Sequence, residues 1–218
     1  MRLPDGVAFE TAAASLLKGM TAEFLLRRCY RVTAGETILV QAAAGGVGSI
    51  LVQWAKRLGA TVIGTVGSEP KAELARALGC DHVILYRHED VAARVREITG
   101  GVGVPVAYDS VGKDTFEGTL ASLARRGLFV TFGNASGPVA PLAPLRLMAG
   151  SLFLTRPTMA DYVRTPEELD ASAGQLFDLI ADGGLKIEIG QRFPLAEAAA
   201  AHRALAARET IGSTILMP

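Results

Sequence analysis

Apolar runs and helical periodicities alternate along most of the chain. Short apolar stretches, many of them β-branched, fall at 37–41, 61–66, 83–85, 104–108, 128–132 and 151–155 and read as buried strands. Helical spacing fills most gaps, over 47–58, 70–78, about 90–98 and 114–124. In the first of these helices Val47, Leu51, Trp54, Ala55 and Leu58 share a face, and Gly59 stands where a helix stops. Such alternation predicts the α/β class, a parallel sheet with helices on both faces. The Pro-rich segment 137–144 reads as a rigid loop before the sixth strand. Beyond Pro157 the pattern changes. A helix over 166–182 ends at Gly183-Gly184, followed by a short strand at 186–189, an Ala-rich helix over 195–207 and a terminal strand at 213–217. Two units are predicted, 1–157 and 158–218, the second an α+β part of another domain.

Three glycines crowd the junction between the first strand and the first of these helices, in "QAAAGGVGSILVQWAKRLGA". A strand that enters a helix through such a turn leaves unpaired N–H groups and the positive dipole end facing one spot, which suits a phosphate. Ala43, Gly45 and Gly48 occupy the marked positions of the dinucleotide fingerprint G-x-G-x-x-G, with alanine replacing the first glycine. Gly45 lets backbone approach a pyrophosphate, and Gly48 lets helix and strand pack closely.

The second strand bears on which dinucleotide. A Rossmann unit that takes NAD usually ends that strand with Asp or Glu on the ribose. Here "GTVGSEPK" puts Gly67 and Ser68 in that place, with Glu69 nearby. Pro70 marks the first turn of the next helix and brings Lys71 into it. A cation there opposes the helix dipole unless an anion such as a 2′-phosphate sits beside it; the alternative is a solvated surface lysine. Tyr86, Asp109-Ser110 and Gly133-Asn134 also follow strands at the end where open parallel sheets bind ligands, although each also suits loop or cap chemistry. His82 and His88 read as surface or cap residues, and His202 as a partly buried structural histidine.

Composition narrows the classes. The 218 residues are 50% hydrophobic with 22 basic and 22 acidic side chains, so nothing favours nucleic acid, and no apolar stretch is long enough for a membrane span. The start lacks the apolar region of a signal peptide, so a cytoplasmic location is expected. Two isolated cysteines and three scattered histidines predict neither disulfides nor a metal site. No tyrosine has lysine four residues on, as a short-chain dehydrogenase needs, no acid follows the second strand as in a methyltransferase, and no G-x-S-x-G occurs.

Several segments together resemble the zinc-free quinone oxidoreductases of the medium-chain dehydrogenase/reductase superfamily. They are "LPDGVAFETAAA", "GMTAEFLL", "AGETILVQAAAGGVG", "QWAKRLGATVIGTVGSEPK", "VAYDSVG", "RRGLFVTFGNASG" and "IGSTILMP". The resemblance implies a Rossmann domain with a linker helix before it, NADPH as cofactor, no metal, and a small quinone or enone as substrate. It implies cofactor contacts at Thr21, Ala44, Gly45, Gly46, Val47, Gly67, Ser68, Lys71, Tyr86, Ser110, Phe132, Gly133, Asn134, Ala135, Thr155, Arg156, Pro157 and Arg208. Lys71 would pair with the 2′-phosphate, while Ser68, Tyr86 and Asn134 would orient ribose and phosphates. Members of this family also carry an N-terminal GroES-like barrel before the segment at which this chain starts. The tail from 158 is accordingly expected to be a remnant of that catalytic domain. Two functions follow, an NADPH-dependent quinone reductase (or its nucleotide-binding portion) and an NADPH-binding module without turnover; a reductase piece of a larger multienzyme is a weaker third. No catalytic residue is singled out.

A homodimer is expected as well. The sixth strand of a 3-2-1-4-5-6 sheet lies at an edge, and "SLFLT" has no lysine or proline to protect it. Pairing with its own copy would hide both edges, unless the loop at 137–144 covers this one.

Overall fold

The computed structural model of the protein describes residues 2–207 and 210–218. Helix α1 (Phe9–Phe24) opens the fold and runs on through one wider π turn, Leu25–Cys29, whose Leu25 and Leu26 are fully buried. Then come β1 (Thr37–Val40), α2 (Gly46–Arg57), β2 (Thr61–Val66), α3 (Glu69–Ala77), β3 (His82–Leu85), α4 (Val91–Ile98), β4 (Val104–Asp109), α5 (Phe116–Ala121), β5 (Leu123–Thr131) and β6 (Phe153–Thr155). The tail adds α6 (Pro166–Ala181), β7 (Ile189–Pro194), α7 (Ala198–Ala206) and β8 (Ser213–Met217).

The six strands β1 to β6 pair in parallel in the order β3-β2-β1-β4-β5-β6, the order expected of a doubly wound sheet. Alternation along each strand sends Ile38, Val40, Val62, Val106, Tyr108 and Val130 to one core, with Trp54 and Leu51 of α2. Leu39, Ile63, Ile84, Ala107 and Phe129 face a second core, with Val95 of α4 and Phe116 and Leu120 of α5. The strands are apolar on both faces because both faces are covered.

In the tail, α6 starts with a capping box, Thr165 with Glu168, and Gly183 past its end adopts a φ of 73°. It packs on α1, where a β-carbon on Gly19 would collide with the Leu176 side chain. Leu176 and Leu185 share the core that covers the α2 side of the sheet. Strands β7 and β8 form a separate parallel pair.

Five expectations are corrected. The expected helix over 114–124 is only α5, and the expected strand at 128–132 begins at Leu123 as β5. The Arg96 guanidinium donates to the carbonyls of Ala121 and Leu123, holding the chain out of the helix, and Arg126 at φ 64° accommodates a bulge in the new strand. The sixth strand spans three residues, because Ser151 lies in the left-handed region at φ 49°. No strand forms at 186–188, where Lys186 N–H and C=O bond to the Gln53 side chain of α2; the strand begins at Ile189. His202 is exposed, since α7 is short and buries Ala201 instead.

Candidate dinucleotide-binding site

The turn after β1 is fixed by its backbone. Gln41 N–H donates to the Tyr108 carbonyl at 2.9 Å and Ala43 N–H to the Thr65 carbonyl at 3.0 Å, tying the turn to β4 and β2. Ala42 takes a φ of 53°, uncommon for a residue with a side chain. This reverses the chain and lets Gly45 N–H reach the Ala42 carbonyl at 2.8 Å. A β-carbon on Gly48 would collide with that same carbonyl, which explains the glycine. At Gly45 the limit is milder, a contact of 3.1 Å. Gly45 is the N-cap of α2 and no side chain caps that end, so the first N–H groups of the helix stay available to an anion.

Beside this turn a cavity of about 170 Å³ is lined by Ala44, Gly45, Gly67, Lys71, Tyr86 and Ala135, with Ala42, Val66, Val111 and Thr210. Next to it, sharing Gly67, Lys71 and Tyr86, a second cavity of about 330 Å³ adds Ser68, Pro70, Arg87, Ala207 and Ile211. Tyr86 lies over Gly67, where a β-carbon would meet its Oη at 2.5 Å, so the glycine makes room for the phenol. Ser68 is the N-cap of α3 but does not cap it with its side chain, and Lys71 stands in the first turn. Glu69 leans along the helix toward Arg76, at 3.8 Å. A larger cavity, about 550 Å³, is elsewhere, between the start of β5 and residues 148–152. It includes Arg96, whose guanidinium is committed to four backbone carbonyls.

The remaining candidates lie at the same sheet edge without lining those two cavities. Gly46 and Val47 open α2. Ser110 and Gly133 press together at the ends of β4 and β5, and Phe132 N–H donates to the Asp109 carbonyl. Asn134 is exposed, and its carbonyl accepts from Gly137 N–H. Thr155, Arg156 and Pro157 leave β6, and Thr21 of α1 is nearby, its hydroxyl 4.0 Å from Met159 Sδ. Arg208 lies outside the described residues. Asp109, a ligand-facing candidate by position, turns inward. Its fully buried carboxylate accepts from Val111 and Gly112 N–H and from the Thr115 and Thr119 hydroxyls. Ala42, Val111 and Arg87 line the site and carry no motif that would have marked them.

A profile of the zinc-binding dehydrogenases matches residues 46–178. A quinone oxidoreductase of Pseudomonas aeruginosa is 57% identical over 219 residues, an alignment covering 100% of this chain and 67% of that protein. The chain belongs to the quinone oxidoreductase family. It corresponds to the C-terminal part of these longer relatives. The crystal structure of Escherichia coli quinone oxidoreductase complexed with NADPH superposes with a TM-score of 0.98 at 49% identity, covering 100% of this chain and 68% of that one. A 2-haloacrylate reductase of a Burkholderia species is 49% identical over 94% of this chain and 62% of its own length.

Within this quinone oxidoreductase fold the residues present fit NADPH. The uncapped α2 N-terminus, the open backbone at Gly45 and the Lys71 cavity offer places for pyrophosphate and for a further phosphate. Zinc, which the profile's description names, finds no such fit: among the described residues no three His, Cys, Asp or Glu side chains gather to hold a metal. Burial pushes the Cys80 thiol up to about 12, which keeps it protonated. No helix among the described residues is long and apolar enough to cross a membrane.

Proposed function

We propose that the protein binds NADPH across the C-terminal ends of β1, β2, β4 and β5 and reduces quinones with it. The uncapped α2 N-terminus facing a cavity walled by Gly45, Gly67, Lys71 and Tyr86 carries this reading. The Gly46 and Val47 N–H groups at the start of α2 hold the pyrophosphate, Gly45 leaves its backbone open to it, and Ala44 borders it. Lys71 and Ser68 bind the 2′-phosphate, Tyr86 and Gly67 shape the adenosine side, and Ser110, Phe132, Gly133, Asn134 and Ala135 line the path toward the nicotinamide. Thr21, Thr155, Arg156 and Pro157 flank that end, and Arg208 is assigned to the cofactor by resemblance alone.

Reduced nicotinamide would supply a hydride, which with one proton from water turns a quinone into a hydroquinone or saturates an activated C=C bond. The chain contributes orientation, holding the dinucleotide along the sheet edge so that one nicotinamide face is fixed. The 2-haloacrylate reductase relative, named for an electron-poor alkene, supports keeping enones beside quinones.

The proposal takes 1–157 as the cofactor-binding unit and 158–218 as part of the catalytic domain, working without metal, in the cytoplasm, as a homodimer. The test is a fluorescence titration with NADPH followed by NADPH oxidation on adding a quinone. Binding with quinone-dependent oxidation is expected. Binding without oxidation would reduce the role to a cofactor-binding module, an outcome to be weighed because the chain spans 67% of its relative's length.

A further inference from the structure

Lys18 precedes Thr21 by three residues on α1, so the two share a helix face. That face meets the glycine turn. A β-carbon on Gly46, the first residue of α2, would lie 2.9 Å from Lys18 Cε and 3.4 Å from its Nζ. The lysine therefore lies across the helix end that this fold offers to phosphate, and Gly46 leaves it the room. Its side chain is partly buried, and burial lowers its pKa from the ordinary lysine value. Among the described residues it forms no ion pair. Partial desolvation and the positive helix end both disfavour an ammonium at this point. The charge of a bound anion offsets both effects.

We propose that Lys18 is a second cation of the dinucleotide site, a binding residue for the pyrophosphate held at the α2 N-terminus. This rests on the dinucleotide reading above and adds a division of labour. Lys18 serves any dinucleotide, whereas Lys71 serves only one that carries a 2′-phosphate. The competing role for Lys18 is apolar, its methylene stem covering Gly46.

Lys18→Met keeps the stem and removes the charge, while Lys18→Arg keeps the charge. Affinities for NADPH and NADH are both expected to fall about ten- to a hundredfold in Lys18→Met, with most of the loss restored in Lys18→Arg. Adenosine 2′-monophosphate, which lacks the pyrophosphate, is expected to bind the variant as well as it binds wild type. Unliganded Lys18→Met is expected to melt no lower than wild type. A measurement without a variant uses amine acetylation of the wild-type protein read by mass spectrometry. NADPH should protect both Lys18 and Lys71, and adenosine 2′-monophosphate only Lys71. Undiminished NADPH affinity in Lys18→Met, an equal loss for adenosine 2′-monophosphate, or acetylation of Lys18 unaffected by NADPH would overturn the assignment. If wild type itself binds no dinucleotide, the underlying reading falls; if wild type binds and Lys18→Met binds equally, only the role of Lys18 falls.

Discussion

Lys71 stands in the first turn of α3, against the dipole, on the wall shared by two cavities. A charge-assisted bond to a 2′-phosphate contributes about 1.5–3 kcal/mol, so Lys71→Ala should weaken NADPH binding about ten- to a hundredfold and barely move NADH. Titrating both cofactors against both proteins checks it, and equal losses would mean that Lys71 does not read the 2′-phosphate. Gly45 tests the phosphate end. Its φ of −82° is open to any residue, so a side chain there is limited by space alone. Gly45→Val should keep the far-UV circular dichroism of wild type and abolish binding of both cofactors, because it fills the approach to the α2 N–H groups. Unchanged binding would move the pyrophosphate off this turn. These residues were legible because strand, turn and helix follow one another locally in the sequence. Lys18 was not: its contact with Gly46 joins positions 28 residues apart, and nothing in the α1 pattern singles it out. Asp109 stayed open between ligand and cap chemistry for a related reason, since position at a strand end does not reveal which way a carboxylate turns.

At the scale of elements, that inward carboxylate ties the sheet edge together. Asp109 at the end of β4 holds the turn into α5, and the Thr119 hydroxyl links it to Gln41 Nε2 at 2.9 Å. Gln41 Oε1 in turn accepts from the Thr65 hydroxyl of β2. The network therefore spans β1, β2, β4 and α5 beneath the cavity. Asp109→Ala strands the Val111 and Gly112 N–H groups and leaves the Thr115 and Thr119 hydroxyls only their backbone acceptors, which should cost about 3 kcal/mol and lower the melting temperature by about 6–12 °C for a chain of this size. Thermal unfolding by circular dichroism measures it; a loss of under about 2 °C would show that the network contributes little. The strand order was readable because the apolar runs mark buried parallel strands and chain connectivity restricts their arrangement. The boundaries of α5, β5 and β7 were not. Apolar spacing runs through 121–123 without a break, and what ends the helix is Arg96, a residue 25 positions before Ala121. Likewise 186–188 looks extended, but its hydrogen bonds go to Gln53 on α2.

At the scale of the whole molecule, the sheet ends in β3 on one side and β6 on the other. Among the described residues β6 pairs only with β5, and beyond it Phe153 is 59% exposed and Leu154 36%, near Leu145 at 72% and Met148 at 74%. Residues 144–150 form a 3-10 turn, and the Leu152 N–H donates back to the Leu147 carbonyl, so this segment is held beside the strand and extends the apolar surface. An unpaired parallel edge lacking lysine and proline invites another strand, and a two-fold axis lets β6 meet its own copy with Leu145 and Met148 buried around it. The alternative, the loop at 137–144 shielding the edge within one chain, would leave these side chains less exposed than they are. Leu154→Lys puts a charge into the contact, where burying it without a partner is costly. The variant should shift from dimer toward monomer while keeping most of its NADPH affinity, because β6 is separated from the Lys71 wall by β5, β4 and β1. Size-exclusion chromatography with light scattering separates the outcomes. A wild-type monomer at tens of micromolar would remove the dimer, and a variant that stays dimeric would move the interface away from this edge.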